Sequence, residues 1–375
     1  MTQSEGNLIR QAETAWLRDD LESSTRALRA AAGTSNSVVT EAAFLPQALP
    51  SGIFAETLSF NGRNTASHLV HFTDLAAVFD IGVPLSPDGT FYSRVFSHLK
   101  YPERYTHLFT EDTSAALTNL FADAPAVSDG YIALIRPPYY HWLLDTLPHL
   151  LGAARLGHRK SVNLIGASES PPNAWQRELL SRAAGLFRIH NLNWLPATGT
   201  ALRVAPGYAQ TRMPLAERLR LLSYLMPAGV KNAGDFLYVR RGAGEVRQLH
   251  NEAAVIEALG TRFRTIEPGN MSIDDQIRAF AGARCVVGVH GSNLTNIVFC
   301  APGTAIIEIA AGLPQPHFEQ ISATAGLRLQ RVTAAPVGTR AETGLTWAQA
   351  HGDLTVRPQD VVSAVDAALS GGASA

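Results

Sequence analysis

The residues with the clearest chemical potential lie between Arg284 and Asn296, in the order Arg-Cys-Val-Val-Gly-Val-His-Gly-Ser-Asn-Leu-Thr-Asn. The β-branched run predicts a buried strand, the turn at 290–292 follows it, and residues 293–299 are expected to begin a helix. Loops at the carboxyl ends of such strands bind ligands in open α/β sheets, and the unpaired N–H groups of a helix N-terminus attract anions. Gly291 would let a ligand approach the backbone closely. The segment therefore predicts an anion-binding site.

Two arginines upstream of this loop are candidates for binding phosphate. Arg241 and Arg247 flank the stretch Gly242-Ala243-Gly244, shortly after a predicted strand at 236–239. A single arginine after a strand could equally be a solvated surface charge. Two guanidinium groups around a glycine-rich turn favour a phosphate clamp, because each can bind phosphate oxygens through two N–H groups.

A second pair of titratable side chains lies in the first half of the chain. His141 and Asp145 are four residues apart in a predicted helix at 141–152, so they share one face of it. Such a pair is either a structural, buried ion pair or, beside a cleft, a general base whose strength is tuned by burial. Both interpretations stay open on the residues alone.

Several other polar residues have plain structural interpretations. Asn251 is placed to cap a helix, and Glu252 would stabilise the N-terminus of that helix through its charge. Thr295 and Asn296 fit helix-capping roles, and for Asn296 a structural role is favoured. Glu308 is expected at the end of a buried strand, where a carboxylate is costly unless paired. It should bind ligand hydroxyls or pair with an arginine.

The pattern of strands, helices and chain breakers divides the chain into parts. Residues 8–31 predict a helix that packs as an arm or mediates dimerisation, and residues 227–234 are the best candidate linker. From 235 onward, strands and helices alternate cleanly, which predicts a parallel sheet covered on both faces. The expected divisions are an N-terminal helical arm at 1–39, a first α/β domain at 40–228, a Rossmann-like domain at 229–340 and a tail with a closing helix at 341–375.

Composition narrows the class of protein. The chain has 375 residues, 46% hydrophobic residues and a net charge of −1, which fits an ordinary soluble protein with two cores and no nucleic-acid partner. No run of 18 uncharged apolar residues occurs, and the first residues lack the pattern of a signal peptide. The two cysteines fit neither a disulfide framework nor a zinc site, so a reducing, cytoplasmic setting is expected.

Taken together, these motifs resemble glycosyltransferase family 61. The family pattern runs through two arginines, Asn-Glu, Ser with a nearby Gln, a His-Gly-Ser/Ala-x-Leu-Thr-Asn loop, and Pro-Gly before an apolar run that carries Glu. Here the matching residues are Arg241, Arg247, Asn251-Glu252, Met271-Ser272 with Gln276, His290–Asn296, Pro302-Gly303 and Glu308. In the first half, Tyr139–Pro148 resembles the N-terminal signature of the family. The resemblance covers residues 130–335 and leaves 1–125 unmatched.

The resemblance implies an α/β fold of the GT-B type, with two Rossmann-like domains facing an interdomain cleft. The domain at 40–228 would then lie on the acceptor side, and the domain at 229–340 would bind the nucleotide-sugar. The implied activity is inverting transfer of a hexosyl or pentosyl group from a nucleotide-sugar, with a UDP-sugar expected, to a glycan, lipid-linked glycan or other hydroxyl acceptor in bacterial surface or capsular polysaccharide synthesis. The expected donor-binding residues are Arg241, Arg247, His290, Gly291, Ser292, Asn293, Leu294, Thr295 and Glu308.

Two chemical requirements of such a transfer can be matched to residues. Negative charge grows on the departing diphosphate, and metal-dependent enzymes meet it with a cation held by Asp-x-Asp, which this sequence lacks. No metal or other cofactor is therefore expected, and Arg241, Arg247, His290 and the helix N-terminus should meet the charge. The acceptor hydroxyl also needs a base. Asp145 is the first candidate for that role and His141 the second.

Other functions on the same scaffold stay open, since a fold does not determine a reaction. They are a nucleotide-sugar epimerase, a polysaccharide pyruvyltransferase-like enzyme, or a non-catalytic protein that binds glycan or nucleotide. The N-terminal helix could form a homodimer, and membrane association is expected to be peripheral at most, at the inner face of the membrane. Donor sugar, acceptor and linkage are not determined by the sequence.

Overall fold

The structure, a computed structural model, describes residues 138–148, 172–186, 189, 215–227, 229–230, 233–312, 316–337 and 351–370, together with the first-half strands named below. The predicted arm at 1–39, with its helix at 8–31, lies outside the described residues. The chain divides into two compact units, Met1–Arg218 and Leu219–Ala375. Among the described residues, no helix is both long and apolar enough to cross a lipid bilayer.

The described strands of the first unit form two mixed sheets. They are β1 (Ile53–Phe60), β2 (Arg63–Phe72), β3 (Leu75–Val78), β4 (Val83–Leu85), β5 (Ala126–Val127), β6 (Gly130–Tyr131), β7 (Ser161–Gly166), β8 (Asn191–Pro196), β9 (Leu202–Val204) and β10 (Gly207–Gln210). Their orders are β1-β2-β10-β6-β7-β8 and β4-β3-β9-β5. The run β10-β6-β7-β8 is parallel, whereas β1 and β2 add to it as antiparallel neighbours.

The helices described in the first unit begin with a short α1 (Tyr139–His141) that continues as a π-helix at Trp142–Thr146. α2 (Ala174–Leu186) and α3 (Leu215–Ser223) follow. α2 starts at a reciprocal cap, in which the backbone N–H of Asn173 donates to the Gln176 side chain and that of Gln176 donates to the Asn173 side chain.

The wide π turn replaces the ordinary α-helix that was predicted from residue 141. Its defining hydrogen bond joins the N–H of Leu147 to the carbonyl of Trp142, at 3.1 Å. Pro148 supplies the physical reason, because it has no N–H to donate to Leu144 and its ring would clash with that carbonyl. The remainder of the predicted helix, residues 149–152, lies outside the described residues.

The second unit is built on one six-stranded sheet. Its strands are β11 (Asp235–Val239), β12 (Phe263–Ile266), β13 (Ala283–Val289), β14 (Ala305–Ala311), β15 (Arg328–Pro336) and β16 (Leu354–Thr355). Their order is β12-β11-β13-β14-β15-β16, and all neighbours are parallel except the last pair. The predicted α/β class and parallel sheet are confirmed. Because the first strand of the unit lies inside the order, between the second and third, a topological switch point falls between β11 and β13.

Helices cover both faces of this sheet. They are α4 (Glu252–Leu259), a short 3₁₀ turn (Pro268–Asn270), α5 (Ile273–Ala281), a 3₁₀-helix (Ser292–Phe299), α6 (His317–Ala325) and α7 (Pro358–Ser370). α4 and α7 pack on the face that carries Val287, Ile307 and Val332. α5, α6 and the 3₁₀-helix at Ser292–Phe299 contact one another on the opposite side. The sheet is therefore buried on both faces, as its β-branched strands predicted.

Local sequence signals set the ends of two of these helices. Ser272 caps α5, since its hydroxyl accepts the backbone N–H of Asp275 at 3.1 Å. Asn251 occupies the cap position of α4 but makes no side-chain cap bond. Its amide instead donates to the carbonyl of Val356 and its oxygen accepts from Thr355, so the predicted cap is replaced by a bridge to β16.

One glycine of β13 sets how closely the switch-point strands approach the 3₁₀-helix. A Cβ at Gly288 would lie 3.2 Å from the Cβ of Val239 and 3.3 Å from a Leu294 methyl. We expect Gly288→Ala to lower the free energy of unfolding by about 1 to 3 kcal/mol through overpacking.

Thermal or denaturant unfolding measures this effect. Gly269→Ala is the matched control, because its added methyl would meet no atom within 4 Å, and we expect it to change stability by less than about 0.5 kcal/mol. Equal stability of the two variants would show that β11, β13 and the 3₁₀-helix do not pack this tightly.

Candidate functional site

The switch point of the second unit brings the two predicted anion-binding segments together. β11 runs into Arg241, and β13 runs into His290. The guanidinium Nη1 of Arg241 donates to the backbone carbonyl of His290 at 3.1 Å, and the Asn293 side-chain amide donates to the carbonyl of Arg240 at the same distance. The loops that follow the two strands are therefore joined by two hydrogen bonds.

Gly291 leaves room for the Arg241 side chain at this junction. A Cβ built on it would lie 1.6 Å from Nη1 of Arg241, a distance that no side chain tolerates. The sequence predicted that Gly291 would let a ligand approach, whereas in the structure the space above it is taken by the Arg241 guanidinium. The glycine thus admits the arginine that is itself the predicted phosphate ligand.

Arg241 is a buried cation with an incomplete set of partners. It is 8% exposed, and its Nε has no hydrogen-bond partner among the described residues. Its anionic contact is with Glu245, at 3.0 Å from Nη2, and the side chain of Glu245 is 36% exposed. Burial lowers the pKa of Arg241, and Glu245 offsets only part of that effect. The charge is poorly neutralised by the protein.

Arg247 adds a second poorly neutralised cation beside the first. Its Nε is also buried and has no partner in the described part of the chain. Burial first, and then repulsion from Arg241, lowers the pKa of Arg247 to about 10. Its φ of 63° is the positive φ of a non-glycine residue, a conformation that costs roughly 1 kcal/mol or more. Burial, repulsion and backbone strain all point to a site that an anion would stabilise.

The strained loop is held from two sides. The side-chain amide of Gln248 donates to the carbonyls of Gly242 and Glu245, which closes the glycine-rich turn. The backbone N–H of Gln248 donates to Asp353 at 3.0 Å, and its carbonyl accepts from Leu354 at 2.8 Å. The segment before α7 therefore fixes the residue that follows Arg247.

His290 is oriented by a buried carboxylate. Its Nδ1 lies 2.5 Å from Oε1 of Glu308, and Oε2 of Glu308 accepts from Nε and Nη2 of Arg331 at 2.9 and 2.8 Å. The imidazole also packs edge-on against Phe318, with 5.1 Å between ring centroids. Of the two partners predicted for Glu308, the structure shows the arginine and adds a histidine. Glu308 lies within β14, not at its end as predicted, because the strand continues to Ala311.

The segment predicted as an α-helix from Asn293 is a 3₁₀-helix from Ser292 to Phe299. Its buried residues are Leu294, Thr295, Asn296, Ile297 and Phe299. The N–H of Leu294 already donates to the carbonyl of Gly291, so fewer N–H groups precede the first intrahelical bond than in an α-helix. The arginines must then carry more of the attraction for an anion.

The remaining polar residues of the loop are mostly structural. Asn296 is fully buried and donates to the Gln276 side chain at 3.0 Å, which agrees with its predicted role. Glu252 accepts from Arg240 at 2.8 Å and from Tyr238 at 3.2 Å, so it is paired within the protein. The hydroxyl of Thr295 is different, because it is buried without a hydrogen-bond partner in the described part of the chain.

The predicted pair in the first unit is present. Nδ1 of His141 lies 2.7 Å from Oδ2 of Asp145, and Nη1 of Arg218 donates to Oδ1 at 3.1 Å. All three side chains are buried. The pairing of His141 with Asp145 is confirmed, whereas Arg218 was not foreseen, since it lies 73 residues further along the chain and no local pattern marks it. Arg331 was likewise not foreseen, since it lies 23 residues beyond Glu308.

Comparison with known proteins identifies a related family. Residues 139–307 match the model of the family described as Glycosyltransferase 61, a range that includes His141, Asp145 and Arg218 as well as the arginine and His290 loops, but not Glu308 or Arg331. A beta-1,2-xylosyltransferase of Arabidopsis thaliana is 34% identical over 195 residues, covering 46% of this chain and 34% of that protein. A beta-1,2-xylosyltransferase of Oryza sativa subsp. japonica is 28% identical over 152 residues, covering 34% of this chain and 28% of that protein.

This chain spans about a third of the length of those relatives. The match begins at the first residue of α1 and ends within β14, so it runs from the His141–Asp145 pair through the arginine loop to the His290 loop. The predicted family resemblance is thereby confirmed. Residues 139–307 match glycosyltransferase family 61, and the match spans parts of both compact units.

Proposed function

We propose that the protein is an inverting glycosyltransferase that moves a sugar from a nucleoside diphosphate to a hydroxyl acceptor. The observation that carries the proposal is the pair of poorly neutralised arginines at the switch point, beside the His290 loop. The family domain and the names of the two relatives support the reaction class. Those names make a UDP-pentose a natural first donor to test, with UDP-hexoses next.

The donor diphosphate would supply the negative charge that the arginine loop lacks. The Nε–H groups of Arg241 and Arg247 are buried donors that need acceptors, and phosphate oxygens accept such charge-assisted bonds. Glu245 pairs with Arg241 when no phosphate is bound. Its side chain is partly exposed, so it can move off Arg241 when a diphosphate binds. The same contacts would strengthen as the leaving group gains charge, which is how such donors lower a reaction barrier.

The proposed phosphate contacts would also allow transfer without a metal ion. Arg241 and Arg247 supply guanidinium groups that can neutralise a diphosphate themselves. Absence of a metal or other cofactor stays a prediction.

The acceptor base is proposed to come from the buried pair in the first unit. Both oxygens of Asp145 accept hydrogen bonds, one from His141 and one from Arg218, so its negative charge is stabilised where it is. That arrangement supports a division of roles in which Asp145 orients the imidazole and His141 takes the proton, the order used by other histidine–carboxylate pairs. It reverses the order of preference that the sequence suggested.

Three finer expectations remain proposals. The GT-B arrangement of the two units and a role in bacterial surface polysaccharide synthesis derive from the resemblance, whereas the cytoplasmic location, with at most peripheral membrane contact, derives from composition and cysteine usage. The other scaffold functions, epimerase, pyruvyltransferase or binding protein, are less well supported than transfer, because the matching family is one of glycosyltransferases. Acceptor identity and dimerisation are likewise untested.

The first prediction concerns the phosphate contacts. Arg241→Ala and Arg247→Ala should each weaken UDP binding by about ten- to a hundredfold, since each removes a charge-assisted contact of roughly 1.5 to 3 kcal/mol. Isothermal titration calorimetry measures the affinity. Arg240→Ala is the matched control, because Arg240 pairs with Glu252 on the exposed side and should leave UDP affinity unchanged. Wild-type affinity in both test variants would contradict the clamp.

The second prediction concerns metal ions. If guanidinium groups alone neutralise the diphosphate, enzyme treated with EDTA should release UDP from the donor at the untreated rate. The release is followed with and without added Mn²⁺ or Mg²⁺ after the chelator is removed. A rate that collapses in EDTA and recovers with either ion would show that a cation site has been overlooked.

The third prediction concerns the base. Asp145→Asn and His141→Ala should each lower kcat by about a hundredfold or more while UDP affinity stays within about twofold, because a general base acts on the acceptor and not on the nucleotide. A larger loss in His141→Ala would assign the proton to the imidazole, and a larger loss in Asp145→Asn would assign it to the carboxylate. Near-normal kcat in both variants would place the base elsewhere.

A further inference from the structure

The buried carboxylate of β14 has more partners than stability alone explains. Glu308 has no exposed surface, yet it accepts from His290 on one oxygen and from Arg331 on the other. Burying a charge pair usually adds little net stability, because desolvation offsets most of the attraction. A fully buried ion pair next to the proposed ligand site therefore indicates that the pair holds a neighbouring side chain in one orientation.

The geometry of the sheet puts these groups in one row. Gly288, Glu308 and Arg331 are direct register partners on β13, β14 and β15, so they lie side by side across three parallel strands. His290 follows Gly288 by two residues and its ring reaches back to Glu308 at 2.5 Å. Arg331 therefore contacts Glu308, and Glu308 in turn contacts His290. The carboxylate of Glu308 cannot rotate without breaking both contacts.

The contact with Glu308 also determines which ring nitrogen of His290 carries the proton. An ionised carboxylate only accepts hydrogen bonds, so Nδ1 of His290 must be the N–H donor to Glu308. The fork of Arg331 supplies two N–H groups to the opposite oxygen, which holds the carboxylate in one orientation. Nε2 is then the ring atom left to contact a ligand. The carbonyl of the same residue binds Arg241, so ring and main chain of His290 are both fixed.

We infer that Arg331 is a positioning residue of the nucleotide site. It acts through Glu308 to hold His290 in the form that is protonated at Nδ1, so that Nε2 is the ring atom that contacts a ligand. The ligand that would contact Nε2 is a nucleoside diphosphate. That choice of ligand rests on the function proposed above, whereas the protonation of Nδ1 does not depend on any ligand.

The test compares two arginines of the same strand. Arg331→Gln removes the fork on Glu308, and Arg328→Gln is the matched control, since Arg328 donates instead to the carbonyls of Gly303 and Ala368. Both variants lose one positive charge from β15. The protein is labelled with ¹⁵N-histidine, and His290 is assigned from the signal that is missing in His290→Gln.

We expect wild type and Arg328→Gln to show His290 protonated at Nδ1, and Arg331→Gln to lose that pattern. UDP affinity should fall about tenfold in Arg331→Gln alone, the size of one lost oriented hydrogen bond. If Arg331→Gln shows the wild-type histidine spectrum and UDP affinity, with only a loss of stability, Arg331 is purely structural and the inference is wrong.

A second variant guards against a folding defect. Arg331→Lys keeps the positive charge but lacks the planar guanidinium group with its two N–H donors to Glu308. It should therefore fold and still shift the Nδ1 signal of His290. If Arg331→Gln does not fold, an unchanged spectrum in Arg331→Lys overturns the inference by itself. Should wild type fail to bind UDP, the proposed function fails, and the histidine spectra still decide whether Arg331 positions His290.

Discussion

The packing of the Arg241 guanidinium against Gly291 is the contact on which the rest of the site depends. It joins the ends of β11 and β13, the two strands between which the sheet order reverses. Ligands bind at such points because the loops of neighbouring strands diverge there. Here the Arg241 guanidinium occupies part of that space, and the absence of a side chain at Gly291 leaves room for it.

The charges around this contact are balanced unevenly. Glu308 is matched by Arg331 and His290, with both of its oxygens engaged. Arg241 and Arg247 share the partly exposed Glu245, and each has a buried Nε without a partner in the described part of the chain. Buried donors are normally satisfied, so these two Nε–H groups are where we expect the phosphate oxygens of a bound nucleotide.

Local signals allowed much of the second unit to be predicted. Alternating apolar runs and breakers predicted its strands, and Ser272 marked the start of α5 because capping depends on residues close in sequence. The pairing of His141 with Asp145 was foreseen for the same reason, since residues four apart share a helical face. Gly291 was correctly singled out, although the group that approaches it is an arginine of the protein.

Partners distant in sequence could not be predicted in this way. Arg218 and Arg331 lie 73 and 23 residues from their carboxylates, so only the tertiary fold brings them together. The 3₁₀-helix at Ser292–Phe299 packs against α5 and α6, which a local pattern does not show. The π turn before Pro148 is a local effect that the pattern of apolar residues does not reveal. In each case tertiary packing or backbone geometry decided what composition and spacing left open.

The central claim is that the switch-point arginines bind the diphosphate of the donor. A crystal structure of the full chain with bound UDP tests it most directly. We expect phosphate oxygens within hydrogen-bond distance of Nε of both Arg241 and Arg247, with the carboxylate of Glu245 moved off Arg241. A diphosphate bound elsewhere, with the Arg241–Glu245 ion pair intact, would contradict the claim.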